Sequence, residues 1–138
     1  MITRIWHGAT PAIKSDEYLN LMRTIAIPDY RSTPGNKGAY ALRQIKGDTA
    51  HFLMVTFWES EAAIRAFAGD DISVAKYYDF DKDFLLELEP CSAHYEMYEP
   101  VNAIILGFDA IGLISSIVGK PSMFGAEHYV WAVLACPA

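Results

Sequence analysis

Few side chains in this chain can move a proton near neutral pH. His7, His51, His94 and His128 are candidate general bases, and Arg43 can donate to an oxyanion or a carboxylate. Tyr40, Tyr77 and Tyr78 add phenol hydroxyls, while Trp58, Phe67 and Phe80 offer flat apolar surface. That set offers bases, donors and flat apolar surface for a small-molecule pocket. His51, His94, Arg43 and Tyr77 are the candidate catalytic groups, and Trp58, Phe67, Tyr78, Phe80 and Tyr40 are the candidate lining of a substrate site. Each also has a plainer role. A strand histidine bonds within its sheet layer, Arg43 makes a surface ion pair, Tyr40 packs, and Trp6 and Trp58 fill a core or an interface.

Other chemistries lack their residues. There is no Gly-rich phosphate loop, His-Glu-x-x-His, Gly-x-Ser-x-Gly or dinucleotide fingerprint. The run Asp79-Phe80-Asp81-Lys82-Asp83 looks like the start of a calcium loop. Its sixth position is Phe84 where Gly is needed, and its twelfth is Pro90 where a bidentate Glu belongs, so it reads as a solvated acidic turn. Cys91 and Cys136 are too few and too far apart for a zinc ribbon or a disulfide framework, and read as inert thiols. No metal or cofactor is expected. A net charge of −6 argues against a nucleic-acid partner. The first residues lack the apolar run of a secretory signal, which makes the cytoplasm the expected location.

The elements that must position these groups follow from periodicity. Ile2–Ala9 alternates as a strand, with Ile2, Arg4 and Trp6 on one face and Thr3, Ile5 and His7 on the other. Ser15 is placed to cap a helix in which Tyr18, Leu21, Met22 and Ile25 share a face and which Pro28 ends. Ala39–Lys46 and Ala50–Trp58 form a hairpin across Gly47-Asp48-Thr49. His51 then lies with Leu53, Val55 and Phe57, while Trp58 lies on the other face with Phe52, Met54 and Thr56, so His51 and Trp58 do not line one surface. Ser60 caps a second helix that Gly69 closes with a positive φ. Ile72–Tyr78 is expected to be a short helix, and Ser92–Glu99 a closing strand with Ser92, His94, Glu96 and Tyr98 on one face. The order strand, helix, strand, strand, helix, strand is the α+β, ferredoxin-like pattern: a four-stranded antiparallel sheet with helices on one face. The other face, apolar as well, calls for a second subunit.

Trp58-Glu59-Ser60-Glu61, Ala66-Phe67, Ala75-Lys76-Tyr77-Tyr78, Asp83-Phe84-Leu85-Leu86 and His94-Tyr95-Glu96 resemble the antibiotic biosynthesis monooxygenase family across residues 1–100. The resemblance implies a dimeric α+β barrel and points to oxidation of a small aromatic, phenolic or quinol-like molecule without metal or organic cofactor. The family also includes haem-degrading enzymes, quinol oxidases and proteins without known activity, and its fold does not fix function. Haem-degrading members carry a Trp nine residues after the first Trp and an axial His ten further on. Here Phe67 and Tyr77 stand at those positions, which counts against haem as a cofactor.

Composition changes after Pro100. Residues 1–100 hold 10 Lys or Arg and 15 Asp or Glu, whereas residues 101–138 hold only Asp109, Lys120 and Glu127 and include 24 hydrophobic residues. We read a domain at 1–100 and an apolar extension at 101–138. The extension is a poor membrane candidate, with Asp109 near the centre of its apolar run and no basic residue before Lys120. The expected partners are a second copy of the chain and a small aromatic or apolar molecule. A non-catalytic barrel holding an apolar ligand is the rival from another class. A pocket lined by carbon alone would favour that rival, and one with His, Tyr or Arg in reach of the ligand would favour an enzyme.

Overall fold

The computed structural model describes residues 1–100; expectations for 101–138, and for His128 and Cys136, fall outside the described residues. Strands β1 (Ile2–Pro11), β2 (Asn36–Lys46), β3 (Thr49–Trp58) and β4 (Ala93–Glu96) form one antiparallel sheet in the order β2-β3-β1-β4. Helices α1 (Ser15–Leu21), α2 (Ile27–Ser32), α3 (Glu61–Ala68) and α4 (Asp81–Phe84) complete the ferredoxin-like α+β fold, with the helices on one face. Among the described residues, no helix is long and apolar enough to cross a membrane.

Alternation decides which side chains meet the helices. Along β1, Arg4, Trp6, Gly8 and Thr10 are buried and their neighbours are not; along β3, Ala50, Phe52, Met54, Thr56 and Trp58 are buried. The expected split of His51 from Trp58 is therefore observed. Gly8 serves a close approach. A Cβ there would lie 2.3 Å from Trp6 Cη2 and 2.9 Å from Leu85 Cδ2, so the glycine lets the indole lie along its own strand. The hairpin turns on Gly47 at φ 58°, with Lys46 opposite Thr49.

The first helical stretch departs from expectation in three ways. Ser15 is buried as the first residue of α1 and does not cap that helix; the residue at its N-cap is Lys14, which makes no side-chain cap. Pro28 does not end the helix. A π-helical turn at Met22–Ala26 widens the coil just before it, and the chain continues as α2 with the proline in its first turn, where a missing N–H costs least. The wider turn also resets the buried stripe. It runs Tyr18, Met22, Ala26 and Tyr30, every fourth residue, and Ile25 is exposed.

Ser60 caps α3 as expected, accepting from the Ala63 N–H at 3.2 Å, and Gly69 ends it at φ 98°. Residues 72–78, expected to be helical, are instead a non-helical crossing segment that starts in a turn at Ile72 and Ser73. The Ala75 N–H donates to Pro90 O at 2.9 Å, the Ser92 N–H donates to Ser73 O at 2.8 Å, and Val74 bridges to Cys91. Arg4, 1% exposed, donates through its two terminal nitrogens to the carbonyls of Ile72 and Val74, both at 3.0 Å. Carbonyls claimed by a buried guanidinium and by a neighbouring strand are lost to a helix.

Candidate functional site

Between the sheet and α1–α2 lies a cavity walled by Trp6 and Met54 from the strands, Tyr18, Met22, Ala26 and Tyr30 from the helical stripe, Lys76 and Tyr78 from the crossing segment, and Phe80 and Asp81 at the start of α4. It is small and partly open to solvent, with about 20 Å³ open to the centre of a water molecule. That is room for about one or two waters.

The walls are aromatic, but three groups give them chemistry. Asp81 is 3% exposed. Its Oδ1 accepts from the Tyr18 hydroxyl at 2.8 Å and its Oδ2 from the Tyr78 N–H at 2.6 Å. Burial pushes the Asp81 carboxyl above its usual range, against the pull of those two donors. Burial, with the charge and hydrogen bond of Asp81, likewise raises the Tyr18 phenol, so Tyr18 stays a donor. Lys76 places Nζ 4.0 Å from the centre of the Phe67 ring and pairs with Asp29 Oδ2 at 3.0 Å. The Tyr78 hydroxyl reaches the same Asp29 oxygen at 2.8 Å. Burial works to raise the Asp29 carboxyl, but the hydrogen bonds from Tyr78 and Lys76 and the lysine charge outweigh it and hold the group below its usual value.

Of the residues nominated from sequence, Tyr78 and Phe80 line this cavity, stacked with centroids 5.5 Å apart. Phe67 and Trp58 sit behind it. Phe67 stacks on Tyr30 at 4.1 Å, and Trp58, with 0% exposure, packs 5.6 Å from Phe67. Tyr77 meets Trp6 edge-on at 6.2 Å and donates its hydroxyl to the Glu89 carbonyl. Tyr40 is on edge strand β2, opposite Val55, with Arg31 5.4 Å over its ring. Arg43 is tied to Asp16 at 2.6 Å and to Ser15 Oγ at 3.3 Å, which is the surface ion pair of its plainer reading.

The two nominated histidines are on opposite faces. His94 pairs with Arg4 across β4 and β1 on the helix face, outside the cavity wall. Its Nε2 is buried without a hydrogen bond, and burial, then the Arg4 charge, lowers its pKa. His51 lies on the other face, where its Nδ1 is 3.2 Å from His7 Nε2 and His7 Nδ1 is 2.5 Å from Glu89 Oε1. Burial, His7 and Lys46 lower the His51 pKa, partly offset by Glu89. His94 and Arg43 thus stand apart, whereas His51, through His7, and Tyr77, through the backbone carbonyl, both connect to Glu89.

Asp81, Tyr18 and Lys76 were not nominated. The acidic turn containing Asp81 is not solvated there, because Tyr18 and the Tyr78 backbone hold its carboxylate inward. A signal existed in the sequence: Tyr77, Tyr78, Phe80 and Phe84 crowd aromatic surface around this one carboxylate. The positions compared with haem enzymes do not fit that group. Phe67 is wedged between Tyr30 and Trp58, and the Tyr77 hydroxyl is already engaged.

The antibiotic biosynthesis monooxygenase family model matches residues 2–73, more than half of the chain, and the protein belongs to that family. Its fold is similar to that of a Nitrosomonas europaea protein assigned as an antibiotic biosynthesis monooxygenase, at 16% identity and TM-score 0.54, covering 72% of this chain and all of that one. A Mycobacterium tuberculosis protein (10% identity, TM-score 0.48, 74% of this chain and all of that one) also matches. So does a MhuD variant with two manganese protoporphyrin IX molecules per active site (20% identity, TM-score 0.46, 74% and 99%). No protein of curated function matches.

Proposed function

We propose that this protein is a monooxygenase that oxidises a small phenolic or quinol-like aromatic with O2, without metal or organic cofactor. One observation carries the reading: a buried carboxylate, Asp81, stands in the wall of an aromatic cavity with its pKa raised toward that of a working base. The cavity as it stands holds only one or two waters, so a flat ring packs against Trp6, Tyr30 and Phe80 once the walls part. Asp81 takes the proton of a ring hydroxyl, and the electron-rich anion passes electrons to O2. At a ring methylene flanked by phenols, one oxygen atom enters as the carbonyl and the other leaves as water. Tyr18 keeps Asp81 oriented. Polar groups in the wall favour this reading over the non-catalytic barrel.

The test is oxygen consumption against a panel of hydroquinones and anthrones, with and without chelator. Chelator-insensitive uptake with one panel member is expected; no uptake across the panel would sink the oxygenase reading. The working unit in this reading is a homodimer joined through the sheet face opposite the helices, where Tyr40 and Leu42 keep 53% and 51% of their surface exposed. Light scattering is expected to give twice the 15.4 kDa chain mass, and a monomer at micromolar concentration would refute it.

A further inference from the structure

The crossing segment brings two donors to a single point. Lys76 and Tyr78 both line the cavity, and the lysine Nζ and the tyrosine hydroxyl converge on one oxygen, Asp29 Oδ2, at 3.0 and 2.8 Å. Asp29 itself stands outside the wall, on α2, with its side chain 41% exposed. The lysine is held independently of that carboxylate, since its ammonium sits 4.0 Å from the Phe67 ring centre and 5.6 Å from that of Tyr78. A fixed pair of donors facing a carboxylate that can swing to solvent is an oxyanion site filled by the chain's own side chain.

Tyr78 ties this point to the base. Its backbone N–H donates to Asp81 and its hydroxyl to Asp29, so the two carboxylates are held at opposite ends of one tyrosine. A substrate spanning them would carry an ionising hydroxyl at the Asp81 end and an anionic group one ring-length away.

We propose that Lys76 and Tyr78 form a carboxylate-binding subsite, and that the substrate is a hydroxyaromatic acid whose carboxylate displaces Asp29. This rests on the aromatic-cavity reading above and narrows its substrate class. Displacement exchanges a half-exposed ion pair for one between the same donors and a ligand carboxylate, and releases Asp29 to water. It leaves the Asp81 end free for the ring hydroxyl.

The test uses 2-naphthoate and its neutral analogue 2-naphthalenemethanol, titrated by fluorescence against the full chain. Charge-assisted bonds from two donors predict that the wild type binds naphthoate ~10-fold or more tightly than the alcohol. Asp29→Asn removes the competing anion and is expected to tighten naphthoate by a further ~10-fold while leaving the alcohol unchanged. Lys76→Met is expected to abolish the preference, and Tyr78→Phe to reduce it. Circular dichroism and urea unfolding matching the wild type report that each variant retains its fold. Equal affinity for the two probes in both wild type and Asp29→Asn overturns the subsite but not the aromatic cavity. A naphthoate preference that survives Lys76→Met overturns it too, by placing the anion elsewhere. Binding of neither probe to any form overturns the subsite and the cavity reading together.

Discussion

Replacing Asp81 with Asn is expected to lower kcat/KM for the oxygenated substrate by about 10²–10⁴-fold, the usual contribution of a positioned base. The asparagine amide keeps an acceptor for the Tyr18 hydroxyl but no longer accepts a proton from a substrate. The wild-type rate should rise with pH along a limb whose midpoint lies above the ordinary carboxylate range, because burial raises this group. The variant should lose that limb. A merely structural aspartate would change the amplitude of the profile without removing its shape. Steady-state oxygen uptake from pH 4 to 9 makes the comparison, and a persisting limb in the variant would assign the base to another group. Stability has the opposite slope. A carboxyl whose pKa is higher folded than unfolded binds its proton more tightly in the native state. Its contribution is fully present below the unfolded pKa and is lost as pH rises through the folded one. The wild type, measured against Asp81→Asn, should therefore lose relative stability from acid toward neutral pH.

Trp58→Ala is expected to cost about 3–5 kcal/mol of unfolding free energy, in the range for emptying a buried aromatic site. Trp58 is fully buried, its indole N–H donates to Thr56 Oγ1 at 2.8 Å, and that hydroxyl donates to the Arg4 carbonyl at 3.1 Å. Its ring supports Phe67, which in turn carries Tyr30 and the Lys76 ammonium. Small domains hold only about 5–15 kcal/mol in total, so much of the reserve would go. Urea unfolding is the measurement. A loss under about 1 kcal/mol would mean that the layer repacks and that Trp58 is not its support. Trp58→Phe, which keeps an aromatic ring in the slot, should recover part of the stability.

The strands were readable from the chain because their alternation is local: the burial of every second residue in β3 agrees with the side chains themselves. The α1–α2 stretch was only half readable. Pro28 signals a break, and nothing near it announces that a π turn absorbs the proline and moves the buried stripe from Ile25 to Ala26. Residues 72–78 have helical spacing, yet their carbonyls are taken by Arg4, nearly seventy residues away, and no local pattern carries that information. The turn at Asp81 departs from its local pattern for the same reason. Its neighbours Asp79, Lys82 and Asp83 are exposed, as an acidic turn should be, and only the distant Tyr18 draws the one carboxylate inward. Histidine type pointed to His51 and His94, but a side chain's chemistry does not say which face of the sheet it occupies.

The alternation of β1 and β3 also means that each strand encodes two different walls, one in even positions and one in odd. A single residue inserted ahead of His51 and accommodated by sliding β3 would exchange them. The imidazole now beside His7 would turn toward the helices, and Met54 would leave the cavity for the opposite face. A point insertion in this family's sheet is thus a way to transplant one surface's chemistry onto the other without altering a single side chain.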